Sequence, residues 1–148
     1  MKARLAIALA LAVSGAAVPA HAHHSFAAEF NINQPVRLMG KVTRIEWSNP
    51  HTYFYIDVAD ASGKITNWAI EGPSPGALSR RAWQKGDLKV GDAVVVEGYR
   101  AKNGSNTANG RLVTLPDGRR LYGGSPGDGG PGDDGTDQGS LPATGTNK

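Results

Sequence analysis

An alternation of side-chain type in the middle of the chain is the feature that most constrains its fold. Residues 53–58 read Tyr-Phe-Tyr-Ile-Asp-Val, so one parity is aliphatic or aromatic and the other is amphipathic or polar. A period of two is typical of a β-strand that buries one face. The turn residues Ala61-Ser62-Gly63 separate this segment from a second strand pattern at Lys64–Glu71. The two segments therefore predict an antiparallel hairpin.

A longer strand pattern, Val36–Trp47, precedes this hairpin. Its apolar residues lie on one parity up to Val42 and on the other parity from Ile45 onward. A β-bulge or a sharp coil near Thr43–Arg44 explains such a change of phase, since a bulge inserts one extra residue into a strand. The sequence therefore predicts a long first strand with a bulge or a sharp coil in its second half.

After the hairpin the sequence predicts one short helix and further strands. The helix is expected at Ala77–Lys85, with Leu78, Ala82 and Trp83 facing inward, and a Val-rich strand follows at Ala93–Tyr99. A final pair is expected at Arg111–Leu115 and Arg119–Tyr122, joined by a turn at Asp117-Gly118. We interpret this order as an all-β (mainly β) fold, a small five-stranded OB-like Greek-key barrel with one short helix between strands 3 and 4. An open β-sandwich is the alternative.

The N-terminus has the layout of a secretory signal. Lys2 and Arg4 precede the apolar run Leu5–Val13, and Ala20-His21-Ala22 offers small residues at the two positions that a signal peptidase reads. The run is shorter than the roughly 20 residues that span a bilayer. We therefore predict a signal peptide at residues 1–22, a periplasmic location, and no membrane span after cleavage.

The remaining chain divides into a domain and a tail. Residues 123–148 consist mainly of Gly, Pro, Asp, Ser and Thr, a composition that buries too little apolar surface to fold. We predict a disordered tail at 123–148 and a barrel domain at 23–122. The domain holds thirteen Lys and Arg and nine Asp and Glu, whereas the tail holds four Asp and one Lys, so the exported chain is almost neutral. We therefore predict no nucleic-acid partner.

The histidines supply the one chemical indication in the sequence. There is no cysteine, which excludes thiolate metal sites. Cleavage after Ala22 makes His23 the first residue, with an α-amine and an imidazole that can chelate one metal ion. His51 is the candidate third ligand and His24 is its competitor. Nitrogen ligands of this kind suit Cu(II), so His23, His51 and His24 form a hypothetical copper site.

Two alternatives remain open at this point. Cleavage after Ala20 places a histidine third in the chain, in His21-Ala22-His23, and that arrangement also chelates Cu(II) or Ni(II) through the amine, two backbone amides and the imidazole. Alternatively, His51 only caps a backbone group in the turn that follows Asn49-Pro50. No phosphate-binding loop or dinucleotide fingerprint is present, and we predict that the protein is not an enzyme.

Several short motifs together resemble a known family. They are His23-His24-Ser25-Phe26, Gly40-Lys41-Val42-Thr43, Glu46-Trp47-Ser48-Asn49-Pro50-His51, Trp68-Ala69-Ile70-Glu71, Ser74-Pro75, Leu88-Lys89-Val90-Gly91-Asp92, Lys102-Asn103-Gly104-Ser105 and Leu115-Pro116-Asp117-Gly118-Arg119. Over residues 23–122 the chain resembles small bacterial periplasmic proteins grouped as domain of unknown function 6152. The resemblance implies export and an OB-like barrel, and it implies no activity. The family usually has Asp where this chain has Asn31.

Two functions follow as hypotheses. The first is an exported periplasmic binding module that holds Cu(II) through the N-terminal histidine site. The second is a metal-free module that binds a small molecule, a peptide or a periplasmic partner protein on the barrel face. The aromatic residues that can line such a face are Trp47, Tyr53, Tyr55, Trp68 and Trp83.

Overall fold

The fold is mainly β, with six strands and two short helices in residues 26–124, which are the residues that this computed structural model describes. In chain order the elements are α1 (Phe26–Glu29), β1 (Phe30–Glu46), β2 (Thr52–Ala59), β3 (Ile65–Gly72), α2 (Pro75–Ser79), β4 (Ala93–Ala101), β5 (Thr107–Thr114) and β6 (Arg120–Tyr122). The predicted fold class is confirmed at this level. The described residues contain six strands, whereas the predicted barrel has five, and β5 and β6 form the pair expected at the C-terminal end of the domain.

All six strands belong to one sheet with the order β3-β2-β1-β4-β5-β6. Every neighbouring pair in this order is antiparallel. In addition, Ala69, Ile70 and Glu71 of β3 pair in parallel with Thr107, Ala108 and Asn109 of β5. This parallel contact joins two strands that lie far apart in the sheet order.

The first strand connects the two halves of the sheet. Its C-terminal half pairs with β2 and the preceding part pairs with β4. The register with β2 shifts between Val42 and Arg44, so the predicted bulge is confirmed at the predicted place. The strand begins at Phe30, six residues earlier than the apolar pattern indicates, because Phe30 and Pro35 also pair with β4, on either side of a register shift.

The core lies on the apolar faces of the strands, under α2 and the segment after it. In β2 the residues of one parity, Phe54 and Ile56, are buried, and Ile70 of β3 is fully buried opposite Phe54. The other buried members of the core are Leu38, Val42, Leu78, Trp83, Leu88, Val94, Val96, Ala108, Val113, Leu115 and Leu121. The period of two in the sequence therefore identifies the buried face of the hairpin.

The helix between β3 and β4 is shorter than predicted. Ser74 caps its start by accepting a hydrogen bond from the backbone N–H of Ala77 (3.3 Å), and the helix ends at Ser79 rather than at residue 85. Ala82 is exposed and has a positive φ of 60°, so its prediction as an inward-facing residue is wrong. Leu78 and Trp83 are buried, as predicted.

A second, smaller apolar cluster holds the start of the described chain. Phe26 and Phe30 stack with ring centroids 5.6 Å apart, and Phe26 meets the Tyr99 ring edge-on, also at 5.6 Å. Ala101 completes this cluster, which is buried. α1 is therefore attached to β4 by aromatic packing.

The described chain ends inside the packed structure. The backbone N–H of Gly123 donates to the carbonyl of Arg111 (2.7 Å), and both Gly123 and Gly124 are buried. Residues 1–25 and 125–148, which include the predicted signal peptide and almost all of the predicted tail, lie outside the described residues. Between residues 26 and 124 no helix is long and apolar enough to cross a membrane.

Candidate metal-binding site

His51 lies at the end of the loop that joins β1 to β2. The Asn49–Pro50 peptide bond in this loop is cis. The next residue, Thr52, donates its backbone N–H to the carbonyl of Pro73 (3.1 Å), and its hydroxyl bonds to the same carbonyl. These bonds fix the start of β2 beside the end of β3. As a result, the His51 side chain projects next to the last residues of β3.

Glu71 of β3 contacts both His51 and Tyr53. Tyr53 and Glu71 are paired residues of the hairpin, and the Tyr53 hydroxyl donates to Glu71 Oε2 at 2.5 Å. The other carboxylate oxygen, Oε1, lies 3.1 Å from His51 Nδ1. The Glu71 side chain is 9% exposed and that of His51 is 34% exposed. The imidazole is therefore held by a buried carboxylate and remains accessible from outside.

The chemistry of Glu71 determines which ring nitrogen of His51 carries the proton in their contact. An ionised carboxylate only accepts hydrogen bonds, so His51 Nδ1 is the donor in its contact with Glu71. Burial, and then the hydrogen bond to Glu71, raise the pKa of Tyr53 above its usual value, which keeps the phenol protonated as a donor. Within the described part of the chain, His51 Nε2 has no hydrogen-bond partner. A neutral His51 therefore presents its Nε2 lone pair outward.

An open groove adjoins Glu71 on the side of the N-terminal segment. It has a volume of about 580 Å³. The residues that line it are Ala28, Glu29, Phe30, Glu71, Ala101, Lys102, Asn103 and Thr107. Lys102 ties this segment to β4, since its backbone N–H donates to the Glu29 carbonyl (2.8 Å) and its ammonium donates to the Ala27 carbonyl (2.6 Å). The groove thus brings α1 and Glu71 together.

The structure describes only one of the three predicted ligands. His51 is found in the arrangement above, whereas His23 and His24 lie outside the described residues. Residues 26–124 contain no group of three or more His, Asp or Glu side chains that can hold a metal ion by themselves.

The sequence did not single out Glu71 and Tyr53 as partners of His51. The signal that reveals them is the hairpin register, which sets residue 53 opposite residue 71. Of the aromatic residues proposed for a binding face, Trp83 is in the core and Trp47 and Trp68 pack partly against it. Tyr55 lies on the outer face, where the Arg44 guanidinium stacks on its ring at 3.8 Å.

The comparison with family models decides the relationship of this chain. The model described as Family of unknown function (DUF6152) matches residues 10–110, more than half of the chain. The chain belongs to this family. The match includes His23, His24 and the whole His51–Glu71 region, and it ends before β6. No curated protein and no solved structure matches the chain, so the family is what the comparisons establish.

Proposed function

We propose that this protein is an exported, periplasmic binding module that holds one Cu(II) ion between His51 and the mature N-terminus. In this proposal His51 supplies Nε2, His23 supplies its α-amine and imidazole, and His24 is the competing imidazole. The observation that carries the proposal is the 3.1 Å contact between His51 Nδ1 and the buried carboxylate of Glu71. The signal peptide and the periplasmic location are part of the proposal.

The Glu71 contact supports metal binding because of what it does to the imidazole. Histidines that bind metals almost always donate their other ring N–H to a carboxylate, a carbonyl or water, which fixes the tautomer and the ring orientation. His51 has this arrangement, with Nδ1 engaged and Nε2 directed away from the carboxylate. Tyr53 bonds the second carboxylate oxygen and so restrains Glu71 as well. A turn histidine that only caps the backbone does not require these two partners.

The attachment of the N-terminal segment supports the participation of His23 and His24. Phe26 is 6% exposed and packed on Tyr99, and His23 precedes it by only three residues. A chain advances at most about 3.3–3.6 Å per residue, so His23 lies within about 11 Å of Phe26. Ala28 and Glu71 line the same groove, which supports the proposal that a ligand a few residues before Phe26 can reach the side of the domain where Glu71 lies.

We further infer that the sheet is an OB-like Greek-key barrel. The parallel pairing of β3 with β5 supports this, because it joins β1, β2, β3, β5 and β4 into a ring. In OB-folds the loop between strands 1 and 2 and the loop between strands 4 and 5 flank the ligand-binding face. His51 lies in the first of these loops, and Asn103 of the groove lies in the second.

The first test is replacement of the described ligand. His51→Ala should lower the Cu(II) affinity of the processed protein about tenfold or more, because one nitrogen ligand is lost while the N-terminal chelate remains. Competitive titration against a calibrated Cu(II) chelator measures the change. Tyr55→Phe, which alters the outer face of β2 four residues after His51, is the control and should bind as the wild type does. Unchanged affinity in His51→Ala leaves only adventitious binding by the N-terminus.

The second test concerns Glu71. Glu71→Gln keeps the shape of the side chain but replaces one acceptor oxygen by a donor amide, so either Tyr53 or His51 loses its acceptor. We expect a decrease in Cu(II) affinity of about tenfold, the usual cost of altering the carboxylate behind a histidine ligand. Glu46→Gln is the matched control, because Glu46 bonds Tyr55 and not His51. Equal affinities of the two variants would argue against the role of Glu71.

The groove beside Glu71 favours the second candidate function, a metal-free binding module. Its volume of about 580 Å³ lies in the range of small-molecule sites, and it offers carboxylates together with the Lys102 ammonium. If neither variant changes Cu(II) affinity, this groove becomes the better candidate for the binding site. A screen of small zwitterionic ligands by thermal shift would then test it.

A further inference from the structure

A β-bulge turns Arg111 toward two tyrosines at the C-terminal end of the domain. In the pairing of β4 with β5, Glu97 is opposite Leu112 and Gly98 is opposite Gly110, so Arg111 is the extra residue of the bulge. Bulges of this kind redirect a side chain. The Arg111 guanidinium lies 3.4 Å from the Tyr99 hydroxyl and 6.0 Å from the centre of the Tyr122 ring, and the residue is 6% exposed.

A second guanidinium lies against the same tyrosine. Arg81, in the segment after α2, has its guanidinium carbon 4.8 Å from the centre of the Tyr122 ring. One of its terminal nitrogens is buried and has no hydrogen-bond partner among residues 26–124. A buried donor without an acceptor is costly. Arg81, Arg111 and Tyr122, here called the arginine–tyrosine surface, are therefore suited to bind an anionic group whose oxygens accept hydrogen bonds.

The chain leaves the domain at this surface. Gly123 donates its backbone N–H to the Arg111 carbonyl, and Gly124 lies so close that a Cβ there would be 2.7 Å from the Tyr122 hydroxyl oxygen. The residues that follow contain four Asp and a single Lys at the very end. The acidic segment thus begins where two arginines lie against one ring.

We propose that the arginine–tyrosine surface is the docking site of the acidic C-terminal segment of the same chain, and that Asp128 is its principal anchor. Asp128 follows Gly124 by four residues, so an extended chain allows the two residues to be up to about 14 Å apart. Guanidinium groups bind carboxylates with paired, directional hydrogen bonds. The opposite charges of the surface and of the segment favour this occupant over an external anion. The inference is independent of the proposed copper site.

The test uses the full exported chain, labelled with ¹⁵N. If Asp128 docks, Asp128→Asn should shift the Nε–Hε resonance of Arg81, and 1 M NaCl should shift the wild-type resonance in the same direction, because salt screens exposed ion pairs. Limited proteolysis should cut the segment after Gly124 about threefold faster in Asp128→Asn and in Arg81→Gln than in the wild type, the size expected for one partly exposed ion pair.

Two matched variants control for a general effect of charge. Asp137→Asn removes a more distant carboxylate, and Arg80→Gln removes the exposed arginine next to Arg81. Both should leave the Arg81 resonance and the proteolysis rate unchanged. The proposal is overturned if Asp128→Asn behaves like Asp137→Asn. It is also overturned if inorganic phosphate shifts the Arg81 resonance while Asp128→Asn does not, since the surface would then serve an external anion.

Discussion

Replacing Gly98 by Ala should destabilise the protein more than any other Gly→Ala change in its strands. A Cβ at this position would lie 1.7 Å from the carbonyl oxygen of Asn109 and 2.9 Å from the carbonyl carbon. Because both are backbone atoms of the paired strand β5, they cannot rotate away as a side chain does. We expect a loss of about 3 kcal/mol in the free energy of unfolding, the upper range for overpacking. Thermal denaturation should show a melting temperature lower by at least about 10 °C.

Gly72→Ala is the matched control for this prediction. Gly72 also lies in a strand, but a Cβ there would be 3.7 Å from its nearest neighbour, the hydroxyl oxygen of Thr52, an ordinary contact. The substitution should be neutral or slightly stabilising, because Ala restricts the unfolded chain. If both variants melt alike, the close packing of β4 on β5 at the Arg111 bulge is not as the structure describes it.

The hairpin and the bulge could be predicted from the sequence because both depend on the alternation of apolar and polar side chains over a few neighbouring residues. The apolar parity of residues 53–58 identifies the buried face of β2, and the change of parity near residue 43 marks the extra residue of the bulge. In each case neighbouring residues along the chain carry the whole signal. Periodicity of this kind depends only on which face is buried.

Other parts of the fold depend on contacts that are distant in sequence. The stretch Asn31–Gln34 is mainly polar, and it is part of β1 because Phe30 and Pro35 on either side of it pair with β4. The parallel pairing of Ala69 with Thr107 joins residues that no local pattern relates. The predicted helix is longer than the observed one. The apolar residue Trp83 fits a helical spacing in the sequence, but the helix has ended at Ser79 and the backbone turns at Ala82.

The candidate site shows the same division. His51 could be named from the sequence because histidine is rare in this chain and follows a turn signal. Its two partners, Tyr53 and Glu71, could not be named from the sequence. They are eighteen residues apart and meet only through the register of β2 and β3. The role of Glu71 behind His51 therefore came from the fold rather than from a motif.

One extra residue before His23 should abolish most of the Cu(II) affinity. In the proposed site the α-amine and the imidazole of His23 chelate the metal together, and an added Met or Gly converts that amine into an amide. Because a direct ligand is lost, the decrease in Cu(II) affinity should exceed the tenfold to hundredfold change that is typical when a residue hydrogen-bonded to a metal ligand is replaced. Competitive titration of the processed and the extended proteins measures it. An extension after Gly124, which changes no ligand, is the control.

The most direct measurement is a crystal structure of the correctly processed protein loaded with one equivalent of Cu(II). The proposal predicts a single copper ion bound by His51 Nε2 and by the amine and imidazole nitrogens of His23, at distances of about 2.0–2.1 Å, as for imidazole bound to zinc. The 3.1 Å contact of Glu71 Oε1 with His51 Nδ1 should persist. A structure in which copper binds the N-terminal histidines while His51 keeps both ring nitrogens away from the metal would contradict it.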